Sequence, residues 1–354
     1  MQQGNIPLPL EDLLAQLRNY PGLEISIKGA PKQATTFSQW AQYWLRNWHL
    51  GRVKGNTYEG NYREPVEIHL IPYFGKMNMH EITPHIVQEF FNQKSSTSAL
   101  ESLKKYRACL KGIFDTAVEN GICNASPLTP SIRMWSTLPE AVKTSWSQEQ
   151  YDIAYAFART HKSGVPIMIL METGISRSEL LGLTWDDFDP QACAFHISNG
   201  LVEYKNPTNG TWAIVHDGLK NRYRNRWVPI SQELAHRIAT KPKYIMVKQN
   251  GTVCAVKTKY ICHSPTGKAY SPHNWYIRQF VRFMEDLHEE HPDVPILTTH
   301  ELRHTKATLL TYQGVDLYTV ARLLGHRDLS MLSKRYLHDD LAAMRKALGL
   351  SAAE

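Results

Sequence analysis

The chain has 354 residues, 42% hydrophobic and 21% charged, with a net charge of +7. That length points to two domains rather than one, and the balance excludes a disordered chain. Five widely spaced cysteines with no C-x-x-C pair exclude a disulfide framework or a zinc ribbon. The basic excess suits a polyanionic partner without establishing one.

Residues 1–34 form an arm punctuated by Pro7, Pro9, Pro21-Gly22 and Pro31, with one short helical run from Leu10 to Leu17. No signal-peptide pattern is present at its start, and the apolar run Val165 to Met171 is too short to span a bilayer. The expectation is a soluble cytoplasmic protein. Trp40, Trp44 and Trp48 recur every four residues, which places them on one buried helical face. Thr83-Pro84 opens a second helix, an N-cap residue followed by proline at the first helical position. A third runs from about Ser98 to Glu119 and stops at Asn120-Gly121. It carries Leu103, Leu110, Phe114 and Ala117 on one side, with Lys104, Lys105, Arg107 and Lys111 elsewhere. Residues 35–125 therefore read as a small helical domain with a basic surface.

Residues 126–146 are rich in proline and serine and lack periodicity, the pattern of a linker. Ser147 with Gln150 makes a capping box that opens the next domain, residues 147–338. That domain begins helical. Its middle has strand-like runs, Phe195-His196-Ile197, Trp212 to Val215 and Trp227 to Ile230, separated by Asn-Gly turns. It is helical again from Thr299, and a tail, 339–354, puts Leu341, Met344 and Leu348 on one face. The expected fold class is mainly α with a small antiparallel β-sheet.

The chemistry-bearing residues gather near the end. Thr298 and Glu301 form a capping box, so His300 lies in the first turn of a helix and Arg303 nearly on the same face. A guanidinium can clamp two phosphate oxygens, and an imidazole can move a proton near neutral pH. Beyond a break at Gly314 come Leu324-Gly325-His326 and then Tyr336. An Arg, two His and a downstream Tyr are the parts needed to break a phosphodiester with a tyrosine nucleophile.

This stretch resembles the C-terminal signature of the tyrosine recombinases, the phage- and transposon-type integrases. The helical domain, including Ile68-His69-Leu70-Ile71-Pro72-Tyr73-Phe74-Gly75-Lys76, is similar to their core-binding domain, and Glu172 to Phe188 to the opening of their catalytic domain. The resemblance implies a site-specific recombinase that needs no metal, cofactor or ATP. In it Tyr336 attacks the scissile phosphate to give a 3'-phosphotyrosine, Arg303 stabilises the five-coordinate phosphorus, and His300 and His326 orient the phosphate and manage protons. A lysine on a β-hairpin would protonate the leaving 5'-oxygen. Lys220 takes that position by counting back from Val228-Pro229-Ile230, with Lys205 as the fallback. Arg222 and Arg224 beside it, and Lys104, Lys105, Arg107 and Lys111 in the helical domain, would contact DNA phosphates. The implied partners are duplex attachment sites, three further copies in a synapse of proteins monomeric in solution, and accessory bending or excision factors. No membrane is implied, the place is the cytoplasm and nucleoid of a bacterial host, and the tail either packs on its own protomer or docks on a neighbour.

One motif departs from the family pattern. The family's first arginine sits three residues after the Thr of a T-G-x-R-x-S-E-L string, whereas here Thr173-Gly174-Ile175-Ser176-Arg177-Ser178-Glu179-Leu180 puts Ser176 in that slot. Either Arg177 supplies the first guanidinium, or it is a solvent or phosphate contact and the chain is an impaired DNA-binding relative. A type IB topoisomerase would share the chemistry. His300-Glu301-Leu302-Arg303-His304 also matches the zinc-protease string H-E-x-x-H, but Ala307 and Leu310 stand where the extended pattern needs Gly and His, and no Glu follows as far as His326 to serve as the third ligand; His326 could ligate in principle, but the recombinase resemblance already accounts for it.

Overall fold

The computed structural model describes residues 35–139, 144–206, 210–218, 222–249 and 252–326. They fall into two units, one drawn from Met1–His49 and Tyr62–Leu138, the other from Leu50–Asn61 and Pro139–Glu354.

In the first unit the described elements are helical. Helix α1, Phe37–Trp44, opens on a capping box between Thr36 and Gln39 and buries Phe37, Trp40 and Trp44. Trp48 is only half-buried, because Leu45–His49 continue in wider π-helical turns that shift the register. Helix α2, Pro84–Lys94, starts where Thr83 accepts from the Ile86 backbone N–H. Helix α3, Leu100–Glu119, buries Leu103, Leu110, Phe114 and Ala117 as expected. The Trp40 indole donates to Ile113 O at 3.0 Å, tying α1 to α3. The run read as a linker is fastened here over its first part. Arg133 exchanges two backbone hydrogen bonds with the Gln88 amide, Thr137 N donates to Ser95 O at 2.9 Å, and Ile132 is buried.

The second unit takes the end of the same run. Trp146 is buried, its backbone N–H donating to Thr305 Oγ1 at 3.1 Å and its indole to Pro295 O at 2.8 Å. Helix α4, Gln148–Thr160, begins at the expected Ser147–Gln150 capping box. Helix α5, Gly164–Thr173, is apolar nearly all round and runs through the core, and Gly174 ends it in the left-handed conformation. Helix α6, Arg177–Gly182, follows at once with Ser176 as its N-cap.

The sheets are small and antiparallel. Strands β1, Phe188–Asp189, β2, Ala194–Ile197, and β5, Arg226–Pro229, make one sheet in the order β1-β2-β5, with Phe195 opposite Val228 and Ile197 opposite Arg226. Strands β3, Asn199–Lys205, and β4, Trp212–Gly218, make a hairpin. Asn199-Gly200, expected as a turn, is instead the start of β3, paired with Gly218 and Asp217. The glycine is needed for packing rather than for turning. A Cβ on Gly182 of α6 would lie 2.9 Å from Gly200 Cα, so helix and strand meet backbone to backbone.

Helix α7, Gln232–Ala239, leads to a second hairpin, β6, Tyr244–Gln249, with β7, Thr252–Lys257. Helix α8, Arg282–Glu290, packs Phe283, Met284 and Leu287 into the core. Helix α9, Thr299–Tyr312, has the expected Thr298–Glu301 capping box, and helix α10, Leu317–Leu324, ends at Gly325 with φ +71°. Among the described residues no helix is long and apolar enough to cross a membrane.

Candidate functional site

The sequence-derived centre, Arg303, sits on α9 at 5% exposure. Its Nη1 donates to Gly174 O at 2.8 Å and its Nη2 to Leu324 O. Both carbonyls lie at helix C-termini, where the helix dipole concentrates partial negative charge. The side chain therefore spans the ends of α5 and α10.

Beside it lies Glu179, a carboxylate at 1% exposure on α6. Its Oε2 accepts from Ser176 N at 2.7 Å and Ser176 Oγ at 2.9 Å, the far half of a capping box. Three arginines face it. Arg226 Nη1 on β5 is 3.0 Å from Oε1, Arg303 Nη1 is 3.7 Å from Oε2, and Arg224 Nη1 is 3.8 Å from Oε1. Burial alone would push the Glu179 carboxyl up, but Arg226, Arg303, the Ser176 N–H and Arg224 outweigh it and hold it below the usual range. Three guanidinium charges against one carboxylate leave an excess of two positive charges in a largely buried place. Burying unbalanced charge is costly, so such an excess marks a site for an anion.

His326 joins this cluster. Gly325 adopts its positive φ and lets His326 N donate back to Ala321 O at 2.9 Å. Burial, then Arg303, Arg224, Arg226 and His300, push the imidazole pKa down to about 4, so the ring is neutral at pH 7. Two buried polar atoms have no hydrogen-bond partner among the described residues, Arg226 Nη2 and His326 Nδ1, and both belong to this cluster.

His300 is one turn before Arg303 and contacts His304, Nε2 to Nε2 at 2.9 Å. In the rival zinc reading Glu301 would be the base. Its carboxylate instead accepts from Thr298 N at 2.8 Å and Thr144 N at 3.4 Å. No group of three or more metal-ligating side chains occurs among the described residues.

Arg177 takes a different direction. Its guanidinium carbon lies 5.2 Å from the Tyr276 ring centroid, a cation–π placement. It lines an open cleft of about 590 Å³ with Ser176, Glu179, Glu203, Arg224 and His273. Its place at the start of α6 points it toward that ring, whereas Glu179 on the same helix is held inward. Tyr336 and Lys220 lie outside the described residues, as do the tail 339–354, the arm 1–34 and the Arg222 side chain. Lys205, the fallback lysine, is exposed at the end of β3. On α3, Lys104 pairs with Glu101 at 2.6 Å and Lys111 with Asp115, while Lys105 is exposed and Arg107 half-exposed.

Sequence reasoning missed Glu179 and Arg226. Glu179 carried a signal, since S-x-x-E is a capping box, but nothing local shows that the same carboxylate also collects arginines. Arg226 carried no signal of its own beyond standing just before the strand-like run Trp227 to Ile230.

Comparison with known proteins places these residues in context. Residues 145–342 match the phage integrase family, and residues 36–95 match the phage integrase N-terminal SAM-like domain. A tyrosine recombinase XerC-like protein of Caldanaerobacter subterraneus subsp. tengcongensis is 25% identical over 299 residues, 79% of this chain and 73% of that one. The transposase from transposon Tn916 of Enterococcus faecalis is 23% identical over 305 residues, 84% of this chain and 73% of that one. Among solved structures, the Tn1549 transposon integrase in complex with a circular intermediate DNA superposes with a TM-score of 0.69 at 21% identity, covering 89% of this chain and 98% of that one. A lambda integrase tetramer bound to a Holliday junction superposes at 0.56 with 16% identity, covering 90% of this chain and 86% of that one.

Proposed function

The chain belongs to the phage integrase family, the tyrosine recombinases that cleave and rejoin DNA, and from that premise we propose that it integrates and excises a mobile element, a prophage or a conjugative transposon. The observation that carries this reading is the buried cluster of Arg303, Arg226, Arg224 and Glu179 against neutral His326, with two positive charges in excess. A phosphodiester brings one negative charge and its five-coordinate transition state two, so the cluster is matched to the transition state rather than to the ground state.

The roles follow from the chemistry. Tyr336, within the family match though outside the described residues, attacks phosphorus and loses its phenolic proton. The bond to the 5'-oxygen breaks and that oxygen takes up a proton, for which Lys220 is the donor. One phosphodiester is exchanged for another, so rejoining needs no energy source. Arg303 faces the developing charge, and His300 and neutral His326 orient the phosphate. Arg177, on the rim of the same cleft, is a DNA phosphate contact, as are Arg222, Lys104, Lys105, Arg107 and Lys111.

The DNA partner is a pair of duplex attachment sites. We assign four protomers to the synapse, by analogy with the lambda integrase tetramer on a Holliday junction, with accessory bending or excision factors choosing direction. We place the protein in the cytoplasm of a bacterial host, with the nucleoid.

The test is a nicked duplex that carries the junction sequence of the encoding element and, on cleavage, loses the short fragment that begins with the freed 5'-hydroxyl. The parent protein forms an adduct that survives denaturation, and Tyr336→Phe forms none. An adduct of equal yield with Tyr336→Phe removes the nucleophile assignment.

A further inference from the structure

We propose that Arg224 is the second phosphate-clamping guanidinium of the cleavage site, taking over the role that Ser176 cannot fill. The inference rests on the reading of Tyr336 as nucleophile and goes beyond it by assigning a catalytic residue that the sequence motif conceals.

A phosphorus under attack carries its growing charge on two non-bridging oxygens, and planar guanidinium groups suit such oxygens. One guanidinium on one side leaves half of that charge unanswered. The candidates for a second are the arginines near Arg303, and their surroundings separate them. Arg226 is committed to the fold. Its Nε donates to Leu323 O at 2.6 Å, and its Nη1 to Glu179 at 3.0 Å and to Arg224 O at 2.9 Å. Its remaining terminal nitrogen is buried and without a hydrogen-bond partner, so Arg226 adds charge to the cluster and lines the cleft beside His326 but presents no exposed donor there. Arg177 lies against the Tyr276 ring and makes none of the ion pairs to Glu179 found among the described residues.

Arg224 differs from both. Its side chain is 23% exposed, and its nearest ionic partner is Glu179 at 3.8 Å, too long for a hydrogen bond. It lines the same cleft as Ser176 and Glu179, so its guanidinium opens into the space beside the motif that lacks its arginine. Its backbone lies under the turn that presents His326, since a Cβ on Gly325 would come within 3.2 Å of Arg224 Cα. Arg224 also ranks just behind Arg303 among the cations that depress the His326 imidazole. A guanidinium held by one buried carboxylate, next to a second arginine and a neutral imidazole, and open to solvent on its far side, is a preorganised donor. Loss of one such donor costs roughly 10²–10³ in rate.

The experiment compares single-turnover adduct formation by the parent, Arg224→Ala and Arg177→Ala at saturating nicked duplex. A second duplex carries a methylphosphonate at the scissile position, which removes one charged oxygen. On the phosphodiester, Arg224→Ala is expected to be about 100-fold slower or more with an unchanged urea midpoint, whereas Arg177→Ala, as a phosphate contact, is expected to raise the duplex concentration needed for saturation more than it lowers the saturated rate. On the methylphosphonate the deficit of Arg224→Ala is expected to shrink markedly, a response that a merely structural or DNA-docking residue does not give. Arg224→Ala within three-fold of the parent, an equal deficit on both duplexes, or the loss falling on Arg177→Ala overturns the proposal. A parent that forms no adduct on either duplex defeats the nucleophile assignment itself, whereas a working parent with an unimpaired Arg224→Ala defeats this inference alone.

Discussion

At Glu179 one carboxylate at 1% exposure holds three arginines in place, and His326 shares their field. The imidazole is held neutral by burial and by those cations, which fixes the sign of a pH effect. As pH falls through 6.5 the unfolded chain takes up a proton on His326, but the folded chain refuses it until about 4. Stability present above 6.5 is therefore lost across that window and levels off below it. The carboxyl of Glu179 is depressed, so its own contribution disappears at lower pH, below the ordinary value of 4.5. Replacing His326 by Gln should flatten the fall in urea midpoint between pH 7 and pH 5. A parent and variant with the same pH dependence would contradict a neutral, charge-repelled His326.

Helix ends do much of the positioning. Capping boxes at Ser147, Ser176 and Thr298 start α4, α6 and α9, and all three follow from residue types three apart. The first and last were read correctly from sequence for that reason, as were the strand runs of β2, β4 and β5. Hairpin β6–β7 was not read, because Tyr244-Ile245-Met246-Val247 is apolar at four successive positions although only Ile245 and Val247 are covered, so no polar residue marks the outward face of that run, and Val253 of β7 is exposed as well. The pairing of Arg224 and Arg226 with Glu179 was not legible either, since it joins residues more than forty positions apart and leaves no local pattern. Ser176 shows the same limit from the other side. Its slot in the motif signals a missing arginine, yet the replacement comes from a different element.

Gly325 tests whether these ends matter. Its φ is +71°, and an added Cβ would lie 2.8 Å from Arg226 Nη1 and 3.2 Å from Arg224 Cα. Gly325→Ala should cost more than about 1 kcal/mol in folding free energy, from the backbone strain together with the clash, and should slow adduct formation by disturbing both arginines. An unchanged urea midpoint would show that the turn relaxes freely.

For the molecule as a whole, the basic surface of α3 predicts a salt effect. Lys104 and Lys111 pair with Glu101 and Asp115 within the helix and would trade those partners for phosphates, so Lys105 and Arg107 give the cleaner test of phosphate contact. The double change Lys105→Ala, Arg107→Ala should reduce the slope of log affinity against log salt by about 0.9 for each phosphate that is no longer neutralised. An unaltered slope would take this helix out of the DNA interface.

Arg303 joins the backbone ends of α5 and α10 through two carbonyls, so the side chain proposed to face the phosphate is also a keystone of the fold. Gene decay would act unevenly on such an arrangement. A descendant that had given up recombination would still need this arginine to hold its two helix ends together. Extinct copies should thus keep the arginine long after their chemistry has gone.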